Sequence, residues 1–141
     1  MNPHLSQDDY ARAAKLADFI PATFGIPKFL MATSISKHSV RSIETLEPLS
    51  RKIGVSVDAT YADHDYSALA SQLMSEPRYA DPGALIVVCW QHSNIPEMAH
   101  ALRAKLGSYP DPWDADVFNQ ILVMSYVDDG EPQITTLTEP F

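Results

Sequence analysis

The chain has 141 residues, the size of one compact domain, and 45% of them are hydrophobic, which is enough to fill a core and excludes disorder over most of the length. Asp and Glu number 18 against 10 Lys and Arg, and the formal net charge of -8 at pH 7 repels nucleic-acid phosphates and anionic lipids. Neither nucleic acid nor a membrane is therefore expected as a partner.

The single cysteine, Cys89, excludes a disulfide within the chain. The first residues carry no signal-peptide pattern, and the longest apolar run, residues 84–90, is far too short to cross a bilayer. These features are compatible with a cytoplasmic protein, which is the expected location.

Helical and strand patterns alternate along the sequence, which is typical of an α/β domain. Ser6 can cap a helix whose first turn holds two aspartates and which should end near Pro21. A short apolar run predicts a strand over residues 28–33. A second helix is predicted over 37–53, bent or divided at Pro48 and closed by the glycine that follows it.

The clearest strand covers residues 84–90. Its apolar run does not alternate with polar residues, which predicts burial on both faces in the middle of a parallel sheet. The remaining predicted elements are, in chain order, a weak strand at 55–61, a helix at 66–74, a helix opened by Asn94, Ile95 and Pro96, a strand at 121–127, a turn at 128–130 and a terminal antiparallel edge strand at 133–138. Together these elements predict one three-layer α/β/α sandwich over residues 1–141, with a mostly parallel sheet.

His92 follows the clearest strand directly and stands at the start of the next helix, with Ser93 beside it. Ligands bind at the carboxyl ends of parallel strands, and the free N–H groups of a helix start suit phosphate. His92 is therefore a candidate donor to an anion. A histidine that only hydrogen-bonds its own loop would give the same pattern.

Arg41 occupies the equivalent place after the first predicted strand, in the first turn of a helix and just after Lys37 and His38. A guanidinium at that position can hold two phosphate oxygens at once. The alternative is a solvated arginine that pairs with Glu44 or Glu47 on its own helix.

Four consecutive segments resemble the histidine phosphatase (phosphoglycerate mutase-like) family in order and spacing, over nearly the whole chain. Residues 2–6 look like the family's P-L-T/S entry to its first helix. Residues 33–45 look like its S-x-x-x-R-A-x-Q-T segment, with Glu44 in place of glutamine, and residues 48–55 continue it in the usual P-L-A … L-G-L manner. Residues 86–96 look like the V-x-V-x-x-H-G-x-x-I/P strand that carries the second active-site histidine.

The resemblance implies a phosphoglycerate mutase-like fold and phosphomonoester hydrolysis through a phosphohistidine, with no cofactor. It implies that Arg41 and His92 stabilise charge on the transferring phosphoryl group, and that Asp63 or Asp65 protonates the leaving oxygen. A solvent-exposed turn rich in aspartate, with no catalytic role, would have the same sequence pattern as the segment that holds these two aspartates. The other candidates for phosphate contacts share only a position beside these segments: Ser93, Lys37 and His38.

The family's nucleophilic histidine belongs to an Arg-His-Gly motif on a first strand that precedes the segment resembled by residues 2–6. No Arg-His pair occurs in the sequence, so we expect impaired catalysis with retained binding of phosphate or a small phosphomonoester. The absent strand would lie beside residues 84–90, and a homodimer is one expected way to fill the gap. The alternatives are truncation of a longer enzyme and a non-catalytic binding or scaffold protein that keeps the fold. The scattered histidines have no zinc-motif spacing, so no metal is expected.

Overall fold

The computed structural model describes residues 3–36, 39–114, 119–126 and 130–141. These residues form a mixed α/β fold with four α-helices and a small parallel sheet of three strands beside a two-stranded antiparallel sheet. The helices are α1 (Gln7–Phe24), α2 (Arg41–Ile53), α3 (Tyr66–Ser75) and α4 (Ile95–Ala101). The strands are β1 (Phe29–Ala32), β2 (Val57–Asp58), β3 (Ile86–Cys89), β4 (Gln120–Ser125) and β5 (Gln133–Thr138).

The parallel sheet has the strand order β2-β1-β3, so β1 is its central strand. Leu30, Met31 and Ala32 of β1 are at most 2% exposed, as a central strand covered on both faces requires. β4 and β5 pair with each other as an antiparallel sheet, from Gln120 opposite Thr138 to Ser125 opposite Gln133. The antiparallel strand predicted over residues 133–138 is confirmed.

β3 lies at the edge of the parallel sheet, so the prediction that residues 84–90 occupy its middle is wrong for the described residues. Within them β3 pairs only with β1, and every residue of Ile86–Cys89 is half-buried. An unbroken apolar run reports how hydrophobic a strand is. It does not report how many strands flank it, because that number is decided by tertiary pairing.

α1 begins as predicted, with the N–H of Asp9 donating to the Ser6 hydroxyl oxygen at 3.1 Å. It does not end near Pro21 but continues to Phe24 and closes at Gly25, whose N–H donates to the Pro21 carbonyl at 3.1 Å. A proline inside a helix removes one backbone hydrogen bond. The ring of Phe24 packs against the core beyond the proline, and that apolar burial offsets the loss.

α2 begins at Arg41, later than the predicted residue 37. Val40 has a non-helical backbone and its N–H donates to the Pro3 carbonyl at 2.9 Å, which ties the start of the helix to the N-terminal segment. The Ser39 hydroxyl oxygen accepts from the Arg41 N–H at 3.2 Å. A side chain that hydrogen-bonds a nearby backbone N–H in this way competes with helical hydrogen bonding, and it sets the first residue of the helix.

α2 runs without interruption through Pro48, so the helix is not divided there. Leu46 and Leu49 flank the proline at 1% and 0% exposure, and their burial holds the helix against the core. Gly54 closes α2 in the left-handed conformation with φ 74°, as predicted, which glycine adopts without a steric penalty.

The remaining predicted elements differ from the structure mainly at their ends. α3 and α4 match the helix predicted over 66–74 and the helix opened by residues 94–96. The weak strand at 55–61 is reduced to Val57–Asp58, and the strand at 121–127 is Gln120–Ser125. Most of the turn predicted at 128–130 lies outside the described residues.

Three clusters of buried side chains make up the core. The first joins α1, α2 and β1, with Val87, Cys89 and Ile121 packed against it. The second centres on Met31, Leu69, Tyr79, Trp90 and Met98, with Ile86 and Val88 packed against it. The third centres on Ala99, Ala104 and Tyr109, with Leu122, Met124 and Ile134 packed against it.

Candidate functional site

Three loops begin at the carboxyl ends of the strands of the parallel sheet, and this end of the sheet is called its carboxyl edge. Ala32 and Cys89 end β1 and β3 as paired partners, so the loops that lead to Arg41 and to His92 start side by side. The N–H of Ser34 donates to the carbonyl of Tyr61 at 2.8 Å, which adds the loop after β2 to the same edge. This carboxyl edge is where ligands bind in parallel α/β sheets.

Asp63 lies at this edge, in a short 3-10 turn between β2 and α3. Its Oδ2 accepts a hydrogen bond from the Asn94 side-chain amide at 2.9 Å, and its backbone carbonyl accepts from the indole N–H of Trp90 at 3.0 Å. Its Oδ1 is buried and makes no hydrogen bond within the described part of the chain. Burial raises the pKa of the Asp63 carboxyl, and this outweighs the Asn94 hydrogen bond and the charges of His64 and His92.

Asp65, the other predicted acid, has a different environment in the same turn. Its side chain is 51% exposed, and His64 approaches it at 3.7 Å. Of the two aspartates, Asp63 is the one whose surroundings favour the protonated form.

His92 opens a second 3-10 turn, His92–Asn94, that leads into α4. The imidazole is exposed, and its charge acts on the Asp63 carboxyl. Ser93 beside it is also exposed. The structure therefore brings His92 and Asp63 into electrostatic contact, with the histidine facing solvent and the aspartate facing the protein.

Arg41 is the first residue of α2 and is half-buried. Its carbonyl accepts from the Thr45 hydroxyl at 2.8 Å. Glu47 of the same helix lies 3.9 Å from Arg51, and Glu44 accepts a hydrogen bond from the Leu5 N–H at 3.0 Å. The predicted phosphate contacts Lys37 and His38 lie outside the described residues.

Glu44 is a buried carboxylate on the first turns of α2 that sequence reasoning missed, being 8% exposed. It accepts hydrogen bonds from His4 Nδ1 at 2.9 Å, from the Leu5 N–H at 3.0 Å and from the Tyr10 hydroxyl. Burial alone would raise the pKa of Glu44, but these three donors together lower it. The one available signal was glutamate in place of the glutamine expected from the resembling segment.

Cys89 ends β3 among polar groups of α2. Burial raises the pKa of its thiol to about 11, although hydrogen bonds with Thr45 and Ser42 act in the opposite sense. The Glu139 carboxyl after β5 contributes a further increase, so this end of the hairpin lies beside the end of β3. The guanidinium of Arg12 reaches Glu139 at 3.4 Å.

Two cavities among the described residues lie away from Asp63, His92 and Arg41, and one of them, of about 700 Å³, is lined by His100, Arg103 and Glu131 among others. An open cavity of about 440 Å³, lined by Pro27, Lys28, Asp81 and Leu85 among others, lies at the amino ends of β1 and β3, opposite the site. Within the described ranges, no group of three or more His, Cys, Asp and Glu side chains is placed to hold a metal ion. No helix in the described part of the chain is long and apolar enough to cross a membrane.

No known protein-family model matches this chain, and no curated protein matches it.

Proposed function

We propose that this chain is a phosphate-binding domain of the histidine phosphatase (phosphoglycerate mutase-like) type, which takes phosphate or a small phosphomonoester at the carboxyl edge of its parallel sheet. The observation that carries the proposal is the placement of the half-buried Asp63 carboxyl at the carboxyl ends of the strands: its Oδ1 is buried without a described partner, burial raises its pKa, and the charge of His92 acts on it. A carboxyl whose pKa is raised, next to an exposed histidine, is suited to protonate an oxygen leaving group.

A three-layer α/β/α arrangement is the architecture that belongs with this function. Two observations support it. Side chains of α1 and α2 share the first core cluster with Val87 and Cys89 of β3. Side chains of α3 and α4 share the second cluster with Ile86 and Val88. These two residues alternate along β3 with Val87 and Cys89, so they point to the other face of the strand. The two helix pairs therefore cover opposite faces of β3.

Three side chains act on the bound phosphoryl group in this proposal. A ring N–H of His92 donates to an equatorial phosphoryl oxygen, and the Arg41 guanidinium binds two more. In the weak hydrolysis proposed for the chain alone, water is the attacking group, and its oxygen bonds to phosphorus as the bond to the leaving oxygen breaks. Asp63 protonates that leaving oxygen and becomes a carboxylate, which the hydrogen bond from Asn94 at 2.9 Å stabilises.

The family's nucleophile is a histidine in an Arg-His-Gly motif, and no Arg-His pair occurs in the 141 residues. The residues of this chain therefore bind the phosphoryl group and protonate its leaving oxygen, and we propose that hydrolysis by the chain alone is weak or absent. The second proposal is a non-catalytic binding protein that keeps the fold. Titration of the chain with phosphate and vanadate separates the two proposals.

The experiment is titration of the purified chain with inorganic phosphate and vanadate, followed by calorimetry. We expect Arg41→Ala and His92→Ala each to weaken binding by about tenfold or more, because each removes a charge-assisted hydrogen bond. Arg51→Ala on the same helix and His100→Ala, an exposed histidine of α4, are matched controls that should bind as the wild type does.

Two outcomes would count against the proposal. Folded wild-type protein that binds neither anion would favour the non-catalytic binding protein. Equal affinities for all four variants would show that the anion binds elsewhere. Turnover of an aryl phosphate that Asp63→Asn abolishes would show instead that the chain holds a nucleophile of its own.

A further inference from the structure

Ile35 is an exposed isoleucine at the carboxyl edge of the parallel sheet, in the loop between β1 and α2. It is 71% exposed, although the strand that leads to it is buried from Leu30 to Ala32. The other large apolar side chains that are exposed in the described ranges lie elsewhere: Tyr10 on α1, Ile26 before β1, Leu106 after α4 and Tyr126 after β4.

The aromatic side chains of the neighbouring loop do not offer an apolar surface to solvent. Tyr61 and Tyr66 are half-buried and pack against the second core cluster. The Tyr61 hydroxyl donates to Oε1 of Gln72 at 2.8 Å, so its polar end is engaged inside the fold as well. Among the described residues, Ile35 is therefore the large apolar side chain that this edge presents to a ligand.

Hydrogen bonds hold the backbone on both sides of Ile35. On one side, the Ser34 N–H donates to the Tyr61 carbonyl at 2.8 Å. On the other side, the Ser36 N–H donates to the Ser39 carbonyl at 3.2 Å, and the Ser36 hydroxyl oxygen accepts from the Ser39 N–H at 3.1 Å. The exposure of Ile35 therefore belongs to a defined loop conformation.

The same contacts place Ile35 between the loop of Asp63 and the turn of Arg41. Tyr61 stands two residues before Asp63 in the loop after β2. The Ser39 hydroxyl oxygen accepts from the Arg41 N–H at 3.2 Å, so the closed turn leads directly to Arg41. An ester whose phosphoryl group is bound by Arg41 directs its leaving oxygen to Asp63, and the organic group of the ester begins at that oxygen.

We infer that the phosphomonoester bound at this edge carries an apolar organic group, aryl or alkyl, and that Ile35 contacts that group. This inference rests on the proposed function. The contact would remove apolar surface of both partners from water, which favours binding. A hydrocarbon side chain cannot donate to a phosphoryl oxygen, so Ile35 decides the preference among esters and not the binding of the anion itself.

The charge of the chain points to the same class of ester. The formal net charge of -8 repels ligands that carry further anionic groups, such as bisphosphates or phosphorylated acids. An ester with many hydroxyls would need polar partners for them, and an isoleucine supplies none. A neutral apolar group meets neither cost.

The test compares two phosphomonoesters that differ in their organic group, phenyl phosphate and glycerol 3-phosphate, with inorganic phosphate as the reference ligand. Calorimetric titration of the purified 141-residue chain gives the three affinities. Phenyl phosphate should bind about tenfold more tightly than glycerol 3-phosphate, because its ring covers apolar surface of Ile35.

Ile35→Ser should reduce this preference to about twofold or less, and the affinity for inorganic phosphate should change by less than about twofold. A general fault in folding would instead weaken the binding of all three ligands together. Ile35→Leu keeps an apolar surface and should keep the preference. Ile26→Ser is the matched control, because Ile26 is 66% exposed and precedes β1 at the opposite end of the strand.

Three results would overturn the inference. Equal affinities of the wild type for the two esters, with inorganic phosphate still bound, would remove the inference and leave the proposed function standing. A preference that survives in Ile35→Ser, or that is lost in Ile26→Ser, would mean that the apolar group binds elsewhere. Folded wild-type protein that binds none of the three ligands would remove the proposed function and this inference with it.

Discussion

The Asn94 side-chain amide donates a hydrogen bond of 2.9 Å to Oδ2 of Asp63, although Asn94 stands at the N-cap position of α4. The side chain of Asn94 makes no capping hydrogen bond to α4. It joins the loop after β3 to the loop after β2 instead. The contact satisfies one oxygen of a buried carboxyl and leaves Oδ1 without a described partner.

Asp63→Asn tests the consequence of that burial for stability. A folded pKa raised above the unfolded value of about 3.9 means that the contribution of Asp63 is fully present below that pH and is lost as the pH rises through the folded pKa. The free energy of unfolding of the variant, relative to the wild type, should therefore be higher at pH 7 than at pH 3. Urea denaturation at the two pH values measures this difference.

The control for that experiment is Asp65→Asn, which makes the same change of charge in the same turn at a half-exposed side chain. If both variants show the same dependence on pH, net charge explains the result and Asp63 is not specially buried.

Glu44→Gln should show the opposite trend. The pKa of Glu44 is lowered in the folded chain, so its contribution is present above the unfolded pKa of about 4.3 and is lost as the pH falls through the folded pKa. The variant should lose about 1–3 kcal/mol at pH 7, because hydrogen bonds to the buried carboxylate are weakened, and the loss should shrink on acidification. Glu47→Gln, with a side chain 46% exposed, is the control.

Leu49→Ala should be among the most destabilising core substitutions. Leu49 is 0% exposed on α2 and belongs to the first core cluster, so truncation leaves a cavity and should cost about 2–5 kcal/mol. Leu106→Ala, at 67% exposure, should change the free energy of unfolding by less than about 0.5 kcal/mol. A small loss at Leu49 would mean that the helix packs elsewhere than the structure has it.

Cys89 should react slowly with iodoacetamide in the folded chain. Its thiol has a pKa of about 11, so at pH 8 the thiolate fraction is on the order of a hundredfold smaller than in an unfolded chain with the usual pKa of about 8.5. Mass spectrometry of timed reactions with and without urea measures the ratio. Equal rates would show that the folded chain does not shield the thiol.

The candidate site was predictable from sequence only as far as position along the chain. His92 and Arg41 each follow a strand, as the alternation of elements predicted, but the pairing that makes the two strands end side by side came from the structure. Their placement as phosphate ligands stays a prediction. Which of the two aspartates is buried followed from the Asn94 and Trp90 contacts, and both of these join residues distant in sequence. Glu44 was missed because its partners lie in the N-terminal segment.

The sequence by itself determined the features that depend on one turn of chain. The Ser6 cap, the left-handed Gly54 and the terminal antiparallel strand each follow from residues next to one another, where local hydrogen bonding and allowed φ values decide. Such preferences are present before any tertiary contact forms.

Only the tertiary structure decided the rest. α1 passes Pro21 because the ring of Phe24 finds a core to pack against. β3 lies at an edge because its second side meets no strand in the described residues. Burial and strand pairing depend on which distant segments meet, and neither a hydrophobic run nor a proline encodes that information.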